Sequence, residues 1–184
     1  KMNELAEEFE DIFQGIGKYR GEPVKIQMTD NVLPIIQPPR RIPLHYIQPL
    51  KEHLAEMIAE DVIEGPLAEE EEGSWISNLV ITDKKWDGAH EEGRRTQIRA
   101  NLDLRPLNTF VYQTHEPIPT PEELRHDLRG SNKYSSLDMI HSFHQFVLEE
   151  EARKLFCFRA PGGLFRFKRL CMGSSPASSE AHRR

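Results

Sequence analysis

The sequence predicts an α+β fold, built from antiparallel strands with packed helices, and three observations support this. With 184 residues, 38% of them hydrophobic, the chain is long enough for one large domain or two small ones. Apolar residues recur at helical spacing over residues 48–64, whereas later segments alternate in the two-residue period of strands. The elements follow the order helix, hairpin, helix and several strands, which is typical of α+β proteins.

The charge distribution and the cysteine content indicate which surfaces and which cellular compartment to expect. The net charge is −6, but the first 92 residues carry 20 acidic and 9 basic residues, whereas the second 92 carry 10 and 15. This asymmetry permits a basic surface on the second half. Two cysteines do not make a disulfide framework, so we expect an intracellular location, in cytoplasm or nucleus, and a core thiol at Cys157. No apolar run is long enough to cross a bilayer, and we expect no membrane partner.

The first part of the chain predicts a helix and then an extended arm. Residues 3–14 place their apolar side chains on one helical face. Residues 22–41 begin with alternating apolar positions and continue with Pro34, Pro38 and Pro39, which a helix interior does not tolerate. We expect this arm to lie across another surface of the protein.

Residues 48–64 give the clearest helix pattern. Pro49 suits a first turn, and Gly65-Pro66 suits a stop. The predicted buried stripe consists of Leu50, Leu54, Met57, Ile58 and Val62. The acidic run 69–72 that follows is interpreted as a solvated linker.

A β-hairpin is predicted next. Residues 74–82 form one strand, residues 84–95 a polar loop, and alternating apolar residues over 98–102 the returning strand. Trp75 and Trp86 either pack within this hairpin or stack on bases, and the sequence leaves both alternatives open.

The second half begins with a capped helix. Thr120 and Glu123 have the spacing of a capping box, with Pro at the first helical position. Leu124 and Leu128 are predicted to face inward, and Gly130 ends the helix. Three short apolar strands and a final helix complete this half, at 146–148, 155–158, 164–167 and from 175 onward.

Residues 134–145 hold the main candidate for chemistry. We predict a short strand that ends at Asp138, followed by a turn of small residues and the aromatic Phe143. A carboxylate fixed at a strand end suits a hard cation such as Mg²⁺. The alternative is an ordinary surface aspartate that closes a strand. His141 and His144 have no further ligand at zinc-binding spacing, so a zinc site is not expected.

Taken in chain order, these segments resemble reverse transcriptases of the gypsy-type long-terminal-repeat retrotransposons. Six segments carry the resemblance, at 40–43, 74–80, 99–108, 117–119, 134–145 and 163–173. The chain departs from the family pattern at Asn78, where the family has Pro, and at Cys171-Met172, where it has Pro-Phe. The loop between Lys85 and Arg99 is also longer than in the family.

The resemblance implies a partial right-hand polymerase, with fingers and an incomplete palm. Residues 1–44 would be the joint between protease and polymerase, 45–130 the fingers and 131–184 the first part of the palm. The family's second catalytic motif, an aromatic residue followed shortly by an Asp-Asp pair, does not occur in these 184 residues. Whether this chain is an enzyme by itself therefore stays open.

The resemblance also implies roles for individual residues. Asp138 and the backbone carbonyl of Met139 would bind the catalytic metal, and Asp103 and Arg105 would form a structural ion pair. The residues implied for deoxynucleotide binding are Lys84, Lys85, Arg99, Phe143 and Gly173. The cations implied for nucleic-acid binding are Arg94, Arg95, Arg166, Lys168 and Arg169.

The implied partners are an RNA or DNA template-primer, a dNTP, and the remaining palm, thumb and RNase H portions of a parent polyprotein. Mg²⁺ or Mn²⁺ is implied for the complete enzyme, and whether this fragment alone binds either ion stays open. The alternative function is a catalytically dead, retroelement-derived remnant that acts as a nucleic-acid- or protein-binding module.

Overall fold

The structure, a computed structural model, describes residues 7–10, 14–71, 73–83, 98–113, 117, 119–136 and 138–183. Most of the predicted helix at 3–14 and the predicted loop at 84–95 lie outside these residues. The side chains of residues 182 and 183 also lie outside the description. None of the described helices is both long and apolar enough to span a bilayer.

The described residues form a mixed α+β fold with mainly antiparallel sheets, as predicted. The helices are α1 Leu44–Ala59, α2 Arg105–Asn108, α3 Pro121–Asp127, α4 Glu150–Arg153 and α5 Ala177–Arg183. The strands are β1 Ile63–Leu67, β2 Ile76–Ser77, β3 Leu79–Asp83, β4 Ile98–Leu102, β5 Cys157–Ala160 and β6 Gly163–Phe167. Short 3₁₀ turns occupy Ser142–Gln145 and Lys154–Phe156.

Two sheets organise these strands. The larger has the order β1-β6-β5-β2, in which only the short β2–β5 pair is parallel among the described strands. The smaller is the antiparallel pair β3–β4, which confirms the predicted hairpin partners. The larger sheet takes strands from both 45–130 and 131–184, and the domain division at these residues stays a prediction.

Aromatic rings fill the core against the larger sheet. The Phe158 ring centroid lies 5.7 Å from that of Phe165 and 5.6 Å from that of Phe167. Trp75 is buried and packs on Phe110, with the ring centroids 5.9 Å apart. Trp75 is therefore a packed core residue, although its ring partner lies beyond the predicted hairpin. Trp86 lies outside the described residues.

The predicted arm does lie across the body of the protein. Single β-bridges join Val24 to Leu148, Met28 to Val111 and Ile36 to Ile76. Val24 is fully buried, so the arm contributes to the common core although it forms no sheet of its own.

The bounds predicted for the first long helix were wrong at both ends. Helix α1 begins four residues earlier and ends at Ala59, and Ile58 is exposed. Asp61 takes a left-handed conformation with φ of 57°, which stops the helix. The chain through Gly65-Pro66 then joins β1 instead of ending a helix, because its backbone pairs with β6.

Further predictions were wrong as well, among them the inward-facing side chains of Leu124 and Leu128, which are exposed. Residues 74–82 divide into β2 and β3, which belong to different sheets. The run 69–72 is not simply solvated, because Glu70 and Glu71 form ion pairs with Arg159 and Arg166. The strand predicted before Asp138 does not form among the described residues 133–136.

Candidate nucleotide and nucleic-acid site

Asp103 anchors the base of the β3–β4 hairpin. Its side chain is 4% exposed and accepts hydrogen bonds from Arg105, at 2.8 Å from Nε and 2.7 Å from Nη2. Nη2 of Arg40 lies 3.1 Å from the same carboxylate. The Arg105 hydrogen bonds hold the pKa of Asp103 at about 2, so the carboxylate stays ionised. The predicted Asp103–Arg105 ion pair is confirmed.

A network of side-chain amides, centred on the buried Gln37, connects the arm to this hairpin. Gln37 Nε2 donates to the Asp103 carbonyl at 2.8 Å. Asn78 Nδ2 donates to Gln37 Oε1 at 3.1 Å and to the Pro38 carbonyl at 2.9 Å. The Asn78 backbone N–H also donates to Gln37 Oε1, at 3.2 Å, which a proline could not do. No sequence pattern pointed to Gln37, which lies 41 residues from Asn78 in the chain.

The predicted hairpin cations are only partly described. Arg99 lies in β4, opposite Thr82 of β3, and its side chain is exposed. The other four lie outside the described residues: Lys84, Lys85, Arg94 and Arg95. Their grouping with Arg99 stays a prediction.

Gly173 lies in a turn before α5 and adopts a φ of 90°, a conformation that favours glycine. A Cβ added there would meet no described atom within 4 Å, so backbone conformation rather than crowding selects glycine. Asn108 Nδ2 donates to the Gly173 carbonyl at 2.8 Å, and the Ser175 N–H donates to Asn108 Oδ1 at 2.9 Å. No role for Asn108 was predicted from the sequence, because its partner turn lies 65 residues away.

Asp138 and Met139 are exposed, and Phe143 is partly buried against the core. Phe143 is therefore at least partly a core residue, and its contact with a deoxynucleotide stays a prediction. The 3₁₀ turn that carries Phe143 contacts α5, the helix that follows Gly173. The turn that carries Phe143 therefore lies close to α5, which follows Gly173 in the chain.

The three cations near the end of β6, predicted to bind nucleic acid, instead make contacts within the fold. Arg166 Nε lies 2.6 Å from Glu64 Oε1, and its Nη1 lies 2.5 Å from Glu71 Oε1. Lys168 forms an ion pair with Asp61. Phosphate would have to compete with these carboxylates.

Arg169 is almost completely buried and ties three segments together. Its guanidinium donates to the carbonyls of Asp61 at 3.0 Å, Gly17 at 2.9 Å and His144 at 3.1 Å. It is not part of an open basic surface. Nucleic-acid binding by Arg166, Lys168 and Arg169 stays a prediction.

Asp138 supplies a single oxygen-donor side chain. Among the residues that the structure describes, no group of three His, Cys, Asp or Glu side chains is arranged to hold a metal ion. Catalytic Mg²⁺ needs several oxygen ligands held together. The described donor set therefore does not fit a complete metal site.

The two histidines after Asp138 stack on each other. The rings of His141 and His144 are 5.6 Å apart and nearly parallel. Burial, aided by the nearby charges of His141 and Arg169, lowers the pKa of His144 to about 4, so it is neutral at pH 7.

Comparison with known proteins places this chain among much longer relatives. No protein-family model matches it. It is 25% identical over 174 residues to an uncharacterized protein of Caenorhabditis elegans, covering 94% of this chain and 13% of that protein. It is 22% identical over 191 residues to a retrovirus-related Pol polyprotein from transposon 412 of Drosophila melanogaster, covering 100% and 14%. Over 88 residues it is 34% identical to an enzymatic polyprotein of figwort mosaic virus, covering 48% and 13%.

Its homologues are polyproteins of retroelements and viruses. The chain spans about one seventh of the length of the Drosophila polyprotein. Its fold matches a foamy viral protease–reverse transcriptase, solved in complex with double-stranded DNA, with a TM-score of 0.73 and 15% identity. That match covers 99% of this chain and 30% of the viral chain. A second foamy virus protease–reverse transcriptase structure matches with a TM-score of 0.76 and 16% identity, covering 99% and 23%.

Proposed function

We propose that this chain is a reverse transcriptase segment of a gypsy-type retroelement and comprises the fingers and the first part of the palm. The observation that carries the proposal is a fold match over 99% of the chain, at a TM-score of 0.73, to a foamy viral protease–reverse transcriptase. The order of the six resembling sequence segments supports the same proposal.

In this proposal, the β3–β4 hairpin carries cations toward the phosphates of an incoming dNTP. Arg99 is exposed on β4, and a guanidinium can donate two parallel hydrogen bonds to a phosphate. Lys84 and Lys85 follow β3 directly in the sequence. The Asp103 network fixes the base of the hairpin, so a phosphate bound by its cations is held relative to the rest of the fold.

The remaining predicted contacts lie on the second half. Gly173 leaves open space beside its backbone, which would allow a nucleotide or template strand to approach closely. Phe143 would lie beside the nucleotide sugar, where its volume would exclude a 2′-hydroxyl and select deoxyribonucleotides. A template-primer would be the nucleic-acid partner, together with the remaining palm, thumb and RNase H portions.

Asp138 would be one ligand of the two Mg²⁺ or Mn²⁺ ions in the complete enzyme, with the Met139 carbonyl beside it. Because this chain supplies one of the expected carboxylates, we expect no primer extension by the chain alone. Template-dependent incorporation that Asp138→Asn abolishes would contradict this expectation.

Nucleic-acid binding by the chain is tested by a salt titration of fluorescence anisotropy on a labelled template-primer. We expect a Kd in the micromolar range or weaker near physiological salt, with little sequence preference. The logarithm of the affinity should fall by roughly 0.7–0.9 per phosphate contact as the logarithm of salt rises. Replacing Lys84, Lys85 and Arg99 by Ala together should lower both the affinity and the slope.

The matched control removes the same charge elsewhere, by replacing Lys51, Arg129 and Lys133, all exposed, by Ala. If both triple variants lose affinity equally, binding is a general charge effect and the hairpin assignment fails. If the wild type shows no salt-dependent binding, the nucleic-acid proposal fails. Binding without any primer extension, even in a longer form of the protein, would favour the binding-module alternative.

A further inference from the structure

We infer that Asn108 is a positioning residue that fixes the Gly173 turn relative to the β3–β4 hairpin. The inference rests on the proposed function, because Gly173 matters only if ligand approaches it. In this role, the uncharged Asn108 side chain would keep the hairpin and the Gly173 turn, the two parts of the candidate site, in a fixed relative geometry.

The side-chain amide of Asn108 fixes two successive peptide groups. Its Nδ2 donates at 2.8 Å to the Gly173 carbonyl, which belongs to the peptide between Gly173 and Ser174. Its Oδ1 accepts at 2.9 Å from the N–H of Ser175, which belongs to the next peptide. A planar amide that uses both ends in this way sets the orientation of both peptide planes.

Asn108 itself is held rigidly on the hairpin side. It is the last residue of α2, which follows β4 after only two residues, and its own N–H donates to the Leu104 carbonyl at 2.8 Å. Leu104 and Leu107 are buried, and the Arg105–Asp103 ion pair secures the start of the helix. Because α2 is held at the hairpin end and Asn108 is bonded to the Gly173 turn, α2 couples the positions of the two.

The turn also needs an external partner to keep its shape. The φ of 90° at Gly173 is accessible to glycine at little cost, but the same freedom gives the turn many alternative conformations. Within the turn, Ser174 Oγ donates to the Cys171 carbonyl at 3.3 Å. Gln113 adds a contact of 3.2 Å to the Ser175 hydroxyl, which does not constrain the backbone. The Ser174 carbonyl also accepts a hydrogen bond from the Ala177 N–H at 3.0 Å, but that bond stays within the same segment. Among the described residues, the Asn108 hydrogen bonds are the ones that tie these peptide groups to the hairpin side.

The test is a double-mutant cycle on template-primer affinity, using Asn108→Ala, Gly173→Ala and the double variant of the whole chain. We expect Asn108→Ala to weaken binding about fivefold with an unchanged salt slope, because no charge is lost. We expect the double variant to bind within about twofold of Gly173→Ala, since residues that act through one element are not additive. Gln48→Ala, which removes an exposed side-chain amide that contacts only Glu52 of its own helix in the described structure, is the control and should leave affinity unchanged.

A second measurement separates positioning from general destabilisation. Asn108→Asp keeps the acceptor for the Ser175 N–H but loses the donor to Gly173. The Ser175 amide should therefore stay protected from hydrogen exchange in Asn108→Asp while affinity falls. Gln48→Glu supplies the control for the added negative charge. Accelerated exchange throughout α1 and β6 would instead mean that the variant damages the fold as a whole, which would overturn the positioning role.

Two failures are distinguishable. If the wild type does not bind template-primer in a salt-dependent manner, the proposed function fails and this inference fails with it. If the wild type binds but Asn108→Ala binds equally well, or if the two substitutions multiply their effects, only the positioning role of Asn108 is overturned.

Discussion

The larger sheet and the segment at residues 119–141 differ in how their structure is maintained. Around the sheet, buried phenylalanines and the buried guanidinium of Arg169 connect residues far apart in sequence. In the segment, every described residue is exposed, and α3 buries no side chain. Nevertheless, α3 has a clear helix-start pattern in the sequence, and its capping box forms as predicted. The Thr120 backbone nitrogen lies 2.7 Å from Glu123 Oε2.

This difference shows that capping of a helix and burial of its apolar side chains are independent of each other. The cap satisfies backbone donors within one turn and needs only four residues. Packing needs a complementary apolar surface, and Leu124 and Leu128 remain 49% and 48% exposed, contrary to the prediction that they face inward. A short helix without packing gains little stability in water, so we expect the two regions to respond differently to substitution.

The largest expected effect is at Arg169. Arg169→Met should lower the free energy of unfolding by about 2–4 kcal/mol, because three carbonyls lose their donor and Asp61 loses a buried partner. Urea denaturation measures the change. The control Arg129→Met, in the exposed segment, should shift stability by less than about 0.5 kcal/mol. Equal effects at the two positions would remove the distinction between the regions.

The next effect depends on pH and involves His144. Because its pKa is lowered to about 4, the folded chain binds fewer protons than the unfolded chain between about pH 4 and pH 6.5. Its contribution to stability is therefore complete above pH 6.5 and is lost as pH falls toward 4, by about 2 kcal/mol between pH 7 and pH 5. Urea denaturation at several pH values should show this decline in the wild type, and His144→Asn should flatten it. The exposed His126, replaced by Asn, serves as the control.

The smallest expected effect is at Thr120. Thr120→Ala removes the acceptor for the Glu123 N–H and should speed hydrogen exchange in α3 by about fivefold. The global unfolding midpoint should stay unchanged, because α3 buries nothing against the core. A fall in the global midpoint would mean that this segment is coupled to the sheet after all.

The sequence by itself determined the features whose causes lie within a few residues. The capping box at Thr120 formed as predicted. The short turn at Pro161-Gly162, where Ala160 and Gly163 are paired, likewise depends on neighbouring residues. The Asp103–Arg105 ion pair also needs only two residues of separation. In each case the partners are adjacent in the chain, so the pattern of residue types is sufficient.

Tertiary structure alone decided the features that depend on distant partners. Helix α1 ends early because the chain after it pairs with β6, about 100 residues later. Arg166 is turned inward by Glu64 and Glu71, and Asn108 meets a turn 65 residues away. Residue types report on local conformation and average burial, whereas the choice among several possible distant partners depends on how the whole chain packs.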